Sequence, residues 1–166
     1  PFSDALALNG LQCTRWSLPV SLHNSDNLNA RGQMAYAAYL SGAALAAAGL
    51  GVVHGLASPL GAARNIPHGV VCGTLLPAAT EVIVGKLLQG SGENRGLAKY
   101  SRAAVVFTGS DHGSAESNCR ALVDELYRWA EEFSLPRLAD YGFTLDELQR
   151  IAAAASAKAT PVDLSW

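Results

Sequence analysis

Apolar residues recur at spacings of three and four along most of this chain, which is the period of an α-helix buried on one side. The clearest case is the segment 115–133. Its apolar face holds Cys119, Leu122, Leu126, Trp129 and Phe133. Shorter helices of the same kind are predicted at 97–107 and 144–158, and no stretch of useful length alternates between apolar and polar residues as a strand would. The pattern predicts an all-α fold, a multi-helix bundle.

The first predicted helix begins near Ser3, a good N-cap residue that is followed by an acidic residue in the first turn. Pro19 is expected to end it, because proline lacks the backbone N–H that a helix interior requires. Near the other end of the chain, Thr144 and Glu147 have the spacing of a capping box, with Phe143 and Leu148 positioned as a hydrophobic staple. These signals predict where two of the helices begin.

The segment 27–48 predicts another helix, capped by Ser25 and Asp26. One of its faces consists of small residues that allow neighbouring backbones to approach closely, namely Ala35, Ala38, Gly42 and Ala46. We therefore expect a central helix of the bundle, buried on all sides. The apolar stretch 35–53 that includes this face is not expected to span a membrane, because its alanines and glycines contribute little transfer free energy.

The most informative stretch of the sequence reads GLGVVHGLASPLGAARNIPHGVVCG and contains His54 and His68. Pro59 and Gly61 are expected to break the chain between the two histidines, and Pro67 suits the first turn of a new helix. The second helix can then fold back and aim His68 at His54. Neutral imidazole is a common metal ligand, but two imidazoles also fit hydrogen-bonded histidines of a protein core. The spacing leaves both interpretations open.

Composition excludes several classes of function. The chain has 166 residues, of which 49% are hydrophobic and 16% charged, and its formal net charge is −2. This fits one globular domain with a core, and the lack of basic excess argues against a nucleic-acid partner. Three widely spaced cysteines, Cys13, Cys72 and Cys119, indicate free thiols in a reducing compartment, which predicts a cytoplasmic location.

The string G-L-G-x-x-H-(x13)-H-G, with PLGA and IPHG inside it, resembles the signature of the iron-containing (group III) alcohol dehydrogenases. In that family both histidines bind iron or zinc in a C-terminal helical domain of the dehydroquinate synthase-like type. The resemblance implies that His54 and His68 are ligands of Fe²⁺ or Zn²⁺. It also implies that Ser58, which stands where members often have a further histidine, and Cys72, one helical turn after His68, line the substrate pocket. No residue is assigned a catalytic role.

The resemblance also implies a domain organisation. Residues 1–166 would be a single C-terminal metal-binding domain, truncated at both ends and lacking the N-terminal domain that binds NAD or NADP. No G-x-G-x-x-G motif follows a predicted strand. In the family, an Asp-x-x-x-His motif just upstream supplies two further ligands. It is absent here, and we interpret Asp4 as a helix-start residue.

An intact relative would transfer hydride between an alcohol or aldehyde and the nicotinamide, with the metal as Lewis acid. We expect the chain alone to bind metal weakly and to have no dehydrogenase activity. A homodimer is a candidate assembly, and no membrane or nucleic-acid partner is expected.

Three alternatives remain. A self-contained metal-binding protein would complete its site with His23 or His112 and a carboxylate. A non-catalytic helical interaction module would bind no metal. A maleylacetate reductase, glycerol dehydrogenase or dehydroquinate synthase would share the fold. Maleylacetate reductases tend to have PHAE where this chain has PHGV, and the other two usually have an acidic residue after HG. These differences favour an alcohol dehydrogenase.

Overall fold

The computed structural model describes residues 2–90 and 94–158, with side chains described as far as residue 155. Within these residues there are seven α-helices, one short 3₁₀ helix and no β-strand, which confirms the predicted all-α fold. The helices are α1 (Phe2–His23), α2 (Leu28–Ala48), α3 (Val52–Arg64), α4 (His68–Gln89), α5 (Arg95–Thr108), α6 (Ala115–Glu132), the 3₁₀ helix (Leu138–Tyr141) and α7 (Leu145–Lys158).

The chain divides into two compact units. The first comprises the described residues of Pro1–Gly49 and Ile83–Glu125, and the second those of Leu50–Val82 and Leu126–Trp166. Both histidines of the predicted metal site belong to the second unit, so its local packing determines where they lie.

In the first unit, α1 packs along α2. A Cβ atom at Gly10 would lie 3.7 Å from both the Ala37 carbonyl oxygen and the Leu40 Cβ, so the two helices approach closely at this glycine. The expectation that Pro19 ends α1 is wrong, because the helix continues to His23. A proline removes only one helical hydrogen bond, and the extensive packing of α1 on α2 can offset that loss.

Two expectations for α2 are also wrong. Its N-cap is Asn27, whose side-chain oxygen accepts a hydrogen bond from the Ala30 N–H at 3.0 Å, rather than Ser25 or Asp26. The small-residue face predicted to be buried is exposed at all four positions, Ala35, Ala38, Gly42 and Ala46. The buried side chains of α2 are instead Ala30, Ala37 and Leu40, which indicates that the helix is covered along one narrow face.

A second cluster in the first unit confirms the amphipathic pattern of α6. Cys119 and Val123 are buried together with Val84 of α4, and Leu97 and Tyr100 of α5 pack against them. Leu122 on the same face of α6 is also buried, as are Leu126 and Trp129, which belong to the second unit. The spacing of three and four in the sequence therefore identified the buried side of this helix correctly.

The core of the second unit consists of Ala57, Leu60, Ile66 and Val71, which come from α3, α4 and the turn between them. Residues of the 3₁₀ helix and of α7 cover this core, namely Leu138, Tyr141, Phe143, Leu148 and Ile151. The predicted capping box at the start of α7 is confirmed, because the Thr144 N–H donates to Glu147 Oε2 at 2.9 Å and the Glu147 N–H donates to Thr144 Oγ1 at 3.3 Å.

Three apolar helices, α2, α3 and α4, are relevant to whether the chain could span a membrane. Helix α4 continues through the buried Pro77. It is long and apolar enough to cross a membrane, and α2 and α3 together would also meet this criterion of length and composition if they were taken as one broken span. Core helices often have the same length and composition, so these properties do not distinguish a membrane span from a core helix.

Candidate metal site

The turn that joins α3 to α4 brings the two halves of the site together. Pro59 and Gly61 lie inside α3 rather than breaking it, so the expected position of the break is wrong. The helix ends at Asn65, which adopts the left-handed conformation with φ 52° and ψ 43°. The Gly61 carbonyl oxygen accepts hydrogen bonds from the N–H groups of Asn65 and Ile66. Only Ile66 and Pro67 then separate Asn65 from the first residue of α4, which is His68.

The core of the second unit holds both helices that carry the histidines. His54 lies three residues before the buried Ala57 on α3, and His68 lies three residues before the buried Val71 on α4. Both imidazole side chains are exposed, although the helices that carry them are held by the same core. The two rings therefore project from the first turns of α3 and α4, at the edge of the core of the second unit.

The histidine rings face each other closely. Their centroids are 5.4 Å apart, and the ring planes are tilted by 51°. His68 Nε2 lies 3.4 Å from the Sγ atom of Cys72, one helical turn later on α4. One donor atom from each of His54, His68 and Cys72 lies within 4.8 Å of the other two. Among the described residues this is the one group of three or more such side chains that could hold a metal ion.

The donor set fits a divalent metal. Imidazole nitrogen and thiolate sulfur are ligands of zinc and of other first-row transition metals, and three protein donors leave room for a further ligand. The exposure of both rings leaves one side of the group open. The expectation that His68 is aimed at His54 is confirmed, and their role as metal ligands stays a prediction.

Ser58 and Cys72 occupy corresponding positions in the two helices. Ser58 is exposed on α3, one turn after His54, and Cys72 is half-buried on α4, one turn after His68. Burial raises the pKa of the Cys72 thiol above its ordinary value. Both residues therefore follow a histidine on the same helical face, and their assignment to a substrate pocket stays a prediction.

A contact that the sequence did not suggest joins α3 to the start of α7. The Arg64 guanidinium donates to Glu147 Oε1 at 2.7 Å and lies 4.7 Å from the centre of the Phe143 ring. The Thr144 N–H, together with Arg64, lowers the pKa of Glu147 from 4.5 to about 2. The capping box pointed to Glu147, but nothing in the sequence pattern paired it with an arginine about eighty residues earlier.

The other candidate ligands lie outside this group. His23 is exposed, and its Nδ1 lies 2.8 Å from the Pro19 carbonyl oxygen. His112 is exposed as well. Asp4 forms an ion pair with Lys99 at 3.1 Å, in keeping with its interpretation as a helix-start residue rather than a ligand. The structure thus brings together His54, His68 and Cys72, and neither His23 nor His112 belongs to that cluster.

The fold matches a solved oxidoreductase. A structure of 1,3-propanediol oxidoreductase superposes with a TM-score of 0.83 and 26% sequence identity, covering 95% of this chain and 40% of that one. Among curated proteins, alcohol dehydrogenase 4 of Saccharomyces cerevisiae is 42% identical over 49% of this chain and 21% of its own length. The 1-propanol dehydrogenase of Citrobacter freundii is 32% identical over 84% of this chain and 36% of its own length.

A third relative is aligned over nearly the whole chain. The NAD-dependent methanol dehydrogenase of Bacillus methanolicus is 31% identical over 92% of this chain and 38% of its own length. The chain thus spans between a fifth and two-fifths of the length of these relatives. The family profile described as "Fe-containing alcohol dehydrogenase family, C-terminal" matches residues 1–163. The chain therefore belongs to the iron-containing alcohol dehydrogenase family and corresponds to its C-terminal domain.

Proposed function

We propose that the chain is the metal-binding domain of a nicotinamide-linked alcohol dehydrogenase that acts on small alcohols or aldehydes. The observation that carries the proposal is the convergence of His54 and His68 in a domain of this family. The relatives support the substrate class, because their names specify methanol, 1-propanol and 1,3-propanediol.

In this proposal His54 and His68 hold a divalent metal through neutral imidazole nitrogens. Such a metal, when bound, would polarise the substrate oxygen as a Lewis acid. The packed core beneath α3 and α4 holds in place the two helices that carry the rings. The Ser58 hydroxyl can hydrogen-bond a polar group of the substrate beside them, but it cannot supply acid–base chemistry near neutral pH.

The nicotinamide cofactor is proposed to bind to a separate N-terminal domain. The sequence contains no dinucleotide fingerprint after a predicted strand, and the residues described in the structure include no strand from which a strand–turn–helix phosphate site could be built. Hydride transfer is the chemistry of the cofactor. In this proposal the chain therefore contributes the metal ligands and one side of the substrate site. The choice between NAD and NADP is governed by that other domain. The cytoplasmic location and the homodimeric assembly stay predictions.

Metal binding by the chain tests the proposed roles. We expect isothermal titration with Zn²⁺ or Co²⁺ to detect one site in the unmodified chain. His54→Ala and His68→Ala should each weaken it by about 100-fold or more, because loss of even an indirect partner of a metal ligand reduces affinity by about 10–100-fold. His23→Ala and His112→Ala are matched controls that remove an exposed histidine elsewhere, and they should leave the affinity unchanged.

The controls also separate the alternatives. Weaker binding in His23→Ala or His112→Ala would favour a self-contained metal protein that uses those residues. An unmodified chain that binds no metal at saturating concentration would favour a non-catalytic interaction module. Turnover of simple alcohols by this chain with NAD or NADP would contradict the proposal that the nucleotide binds to another domain.

A further inference from the structure

We propose that Cys72 is a third protein ligand of the metal, so that His54, His68 and Cys72 form a site that prefers zinc. This inference rests on the proposed function, since it takes the two histidines as ligands. It adds a donor that the sequence signature does not contain, and it replaces the interpretation of Cys72 as a residue that lines the substrate pocket.

The spacing on α4 suits two ligands of one ion. His68 and Cys72 are four residues apart within one continuous helix, so their side chains project from the same face. Pairs of metal ligands at this spacing are well known from the H-E-x-x-H motif of zinc proteases, in which two histidines on one helical face bind the same zinc ion. The helix therefore directs Nε2 and Sγ toward a common point.

The observed distance agrees with tetrahedral coordination. With Zn–N of about 2.1 Å, Zn–S of about 2.3 Å and an angle of about 109°, the nitrogen and sulfur ligands of one zinc ion are about 3.6 Å apart. The separation of His68 Nε2 and Cys72 Sγ is 3.4 Å. These two atoms can therefore bind one zinc ion with almost no movement of either side chain.

His54 completes the set with a modest rotation. The donor atoms of all three residues lie within 4.8 Å of one another, and the edges of a tetrahedral zinc site are about 3.3–3.7 Å long. The largest separation thus has to shorten by roughly 1.5 Å or less. The His54 side chain is exposed, so it is free to turn toward the ion without disturbing the core.

Sulfur determines the preferred metal. Thiolate is a soft ligand that favours zinc over harder cations, and Zn²⁺ also binds more tightly than Fe²⁺ to a given set of nitrogen and sulfur donors. Binding releases the Cys72 thiol proton to solvent, so Sγ coordinates as thiolate. The three protein donors leave the fourth zinc position open.

Cobalt spectroscopy tests the proposal directly, because Co²⁺ replaces zinc in tetrahedral sites and absorbs light. Titration of the 166-residue chain with Co²⁺ should produce visible d–d bands and a near-ultraviolet thiolate-to-cobalt charge-transfer band. Cys72→Ser should abolish the charge-transfer band and weaken Zn²⁺ affinity by about 100-fold. Cys13→Ser, which makes the same chemical change at another partly buried cysteine, should leave both unchanged.

The outcomes distinguish this inference from the proposed function. Visible bands without charge transfer, with equal Zn²⁺ affinity for the unmodified chain and Cys72→Ser, would overturn Cys72 as a ligand and leave the histidine site intact. Affinity that is unaffected by His54→Ala and His68→Ala would instead overturn the proposed function.

Alkylation of the unmodified chain gives a measurement that needs no substitution. Zn²⁺ should slow the reaction of Cys72 with iodoacetamide at least 10-fold when followed by peptide mass spectrometry. The rate at Cys13 should not change and provides the internal control. Equal alkylation of Cys72 with and without Zn²⁺, in a sample shown to bind the ion, would contradict the inference.

Discussion

Gly61 determines how tightly the chain can turn between the two histidines. A Cβ atom at this position would lie 3.0 Å from the Ile66 carbonyl oxygen, which is tighter than ordinary van der Waals contact and would require the backbone at Ile66 to shift. The same glycine provides the carbonyl oxygen that accepts the hydrogen bonds ending α3. Gly55, in the first turn of the same helix, has open space where its Cβ would be. The two glycines therefore allow a matched comparison.

We expect Gly61→Ala to lower the free energy of unfolding by about 1 kcal/mol or more, because the added methyl group must displace packed backbone. Gly55→Ala should raise it by about 0.5–1 kcal/mol, because alanine is the better helix former and meets no obstacle. Urea denaturation followed by circular dichroism measures both. Equal effects of the two substitutions would show that close packing at Gly61 does not matter.

At the scale of single residues, the sequence predicted the approach of the two histidines correctly but placed the helix break between them wrongly. The signature placed His54 and His68 opposite each other, and the structure agrees. The break was expected at Pro59, yet it lies at Asn65. The loss of one hydrogen bond at Pro59 is offset by burial of its neighbours Ala57 and Leu60, a tertiary effect that local propensity does not contain.

Among the elements, α7 contacts α3 of the same unit through its first turn. Its capping box and the Arg64 contact both depend on the Glu147 carboxylate. Since the Thr144 N–H and Arg64 lower the pKa of this group from 4.5 to about 2, the charged form is favoured in the folded state. Its stabilising contribution is therefore complete above pH 4.5 and is lost as the pH falls toward 2.

Acid unfolding should reveal this contribution. We expect Glu147→Gln, which keeps an oxygen for the Thr144 N–H but loses the charge, to flatten part of the decline in thermal midpoint between pH 4.5 and 2. Near neutral pH the variant should be less stable than the unmodified chain. Parallel pH profiles for the two proteins would contradict a role for this carboxylate in acid sensitivity.

The other helices show where the sequence pattern predicts the buried face correctly and where it does not. The buried face of α6 was predicted correctly because its apolar and polar residues are clearly segregated. In α2 alanine occurs on every side, so the sequence does not indicate which face is covered, and the small-residue face proved to be exposed. Pro19 was expected to end α1, but the helix continues through it to His23.

For the whole molecule, the division into two units predicts a local response to metal. All three proposed ligands belong to the unit formed by Leu50–Val82 and the C-terminal segment from Leu126. A ligand at 100 times its dissociation constant stabilises the state that binds it by about 2.7 kcal/mol. Amide hydrogen exchange should therefore slow at those residues whose exchange requires a local opening that disrupts the proposed metal site.

We expect Zn²⁺ to slow amide exchange most strongly across α3 and the first turns of α4, and least in α1 and α2. Mass spectrometry of peptides with and without Zn²⁺ measures the difference. The double variant His54→Ala, His68→Ala is the control and should show no protection. Uniform protection of both units would contradict a local effect.

The family and the helical class could be read from the sequence because the signature is contiguous and the helices are amphipathic. The contribution of Cys72 could not be read in the same way. Its position one turn after His68 was visible, but the 3.4 Å separation depends on the side-chain conformations of both residues, which the sequence pattern does not specify.

The short turn at Asn65 also has a consequence for the order of folding. Because His54 and His68 are close in sequence, bringing them together closes only a small loop and loses little chain entropy. Helices α3 and α4 can therefore pair early, before the distant residues of α7 cover their core. The two rings would then lie side by side before α7 is in place.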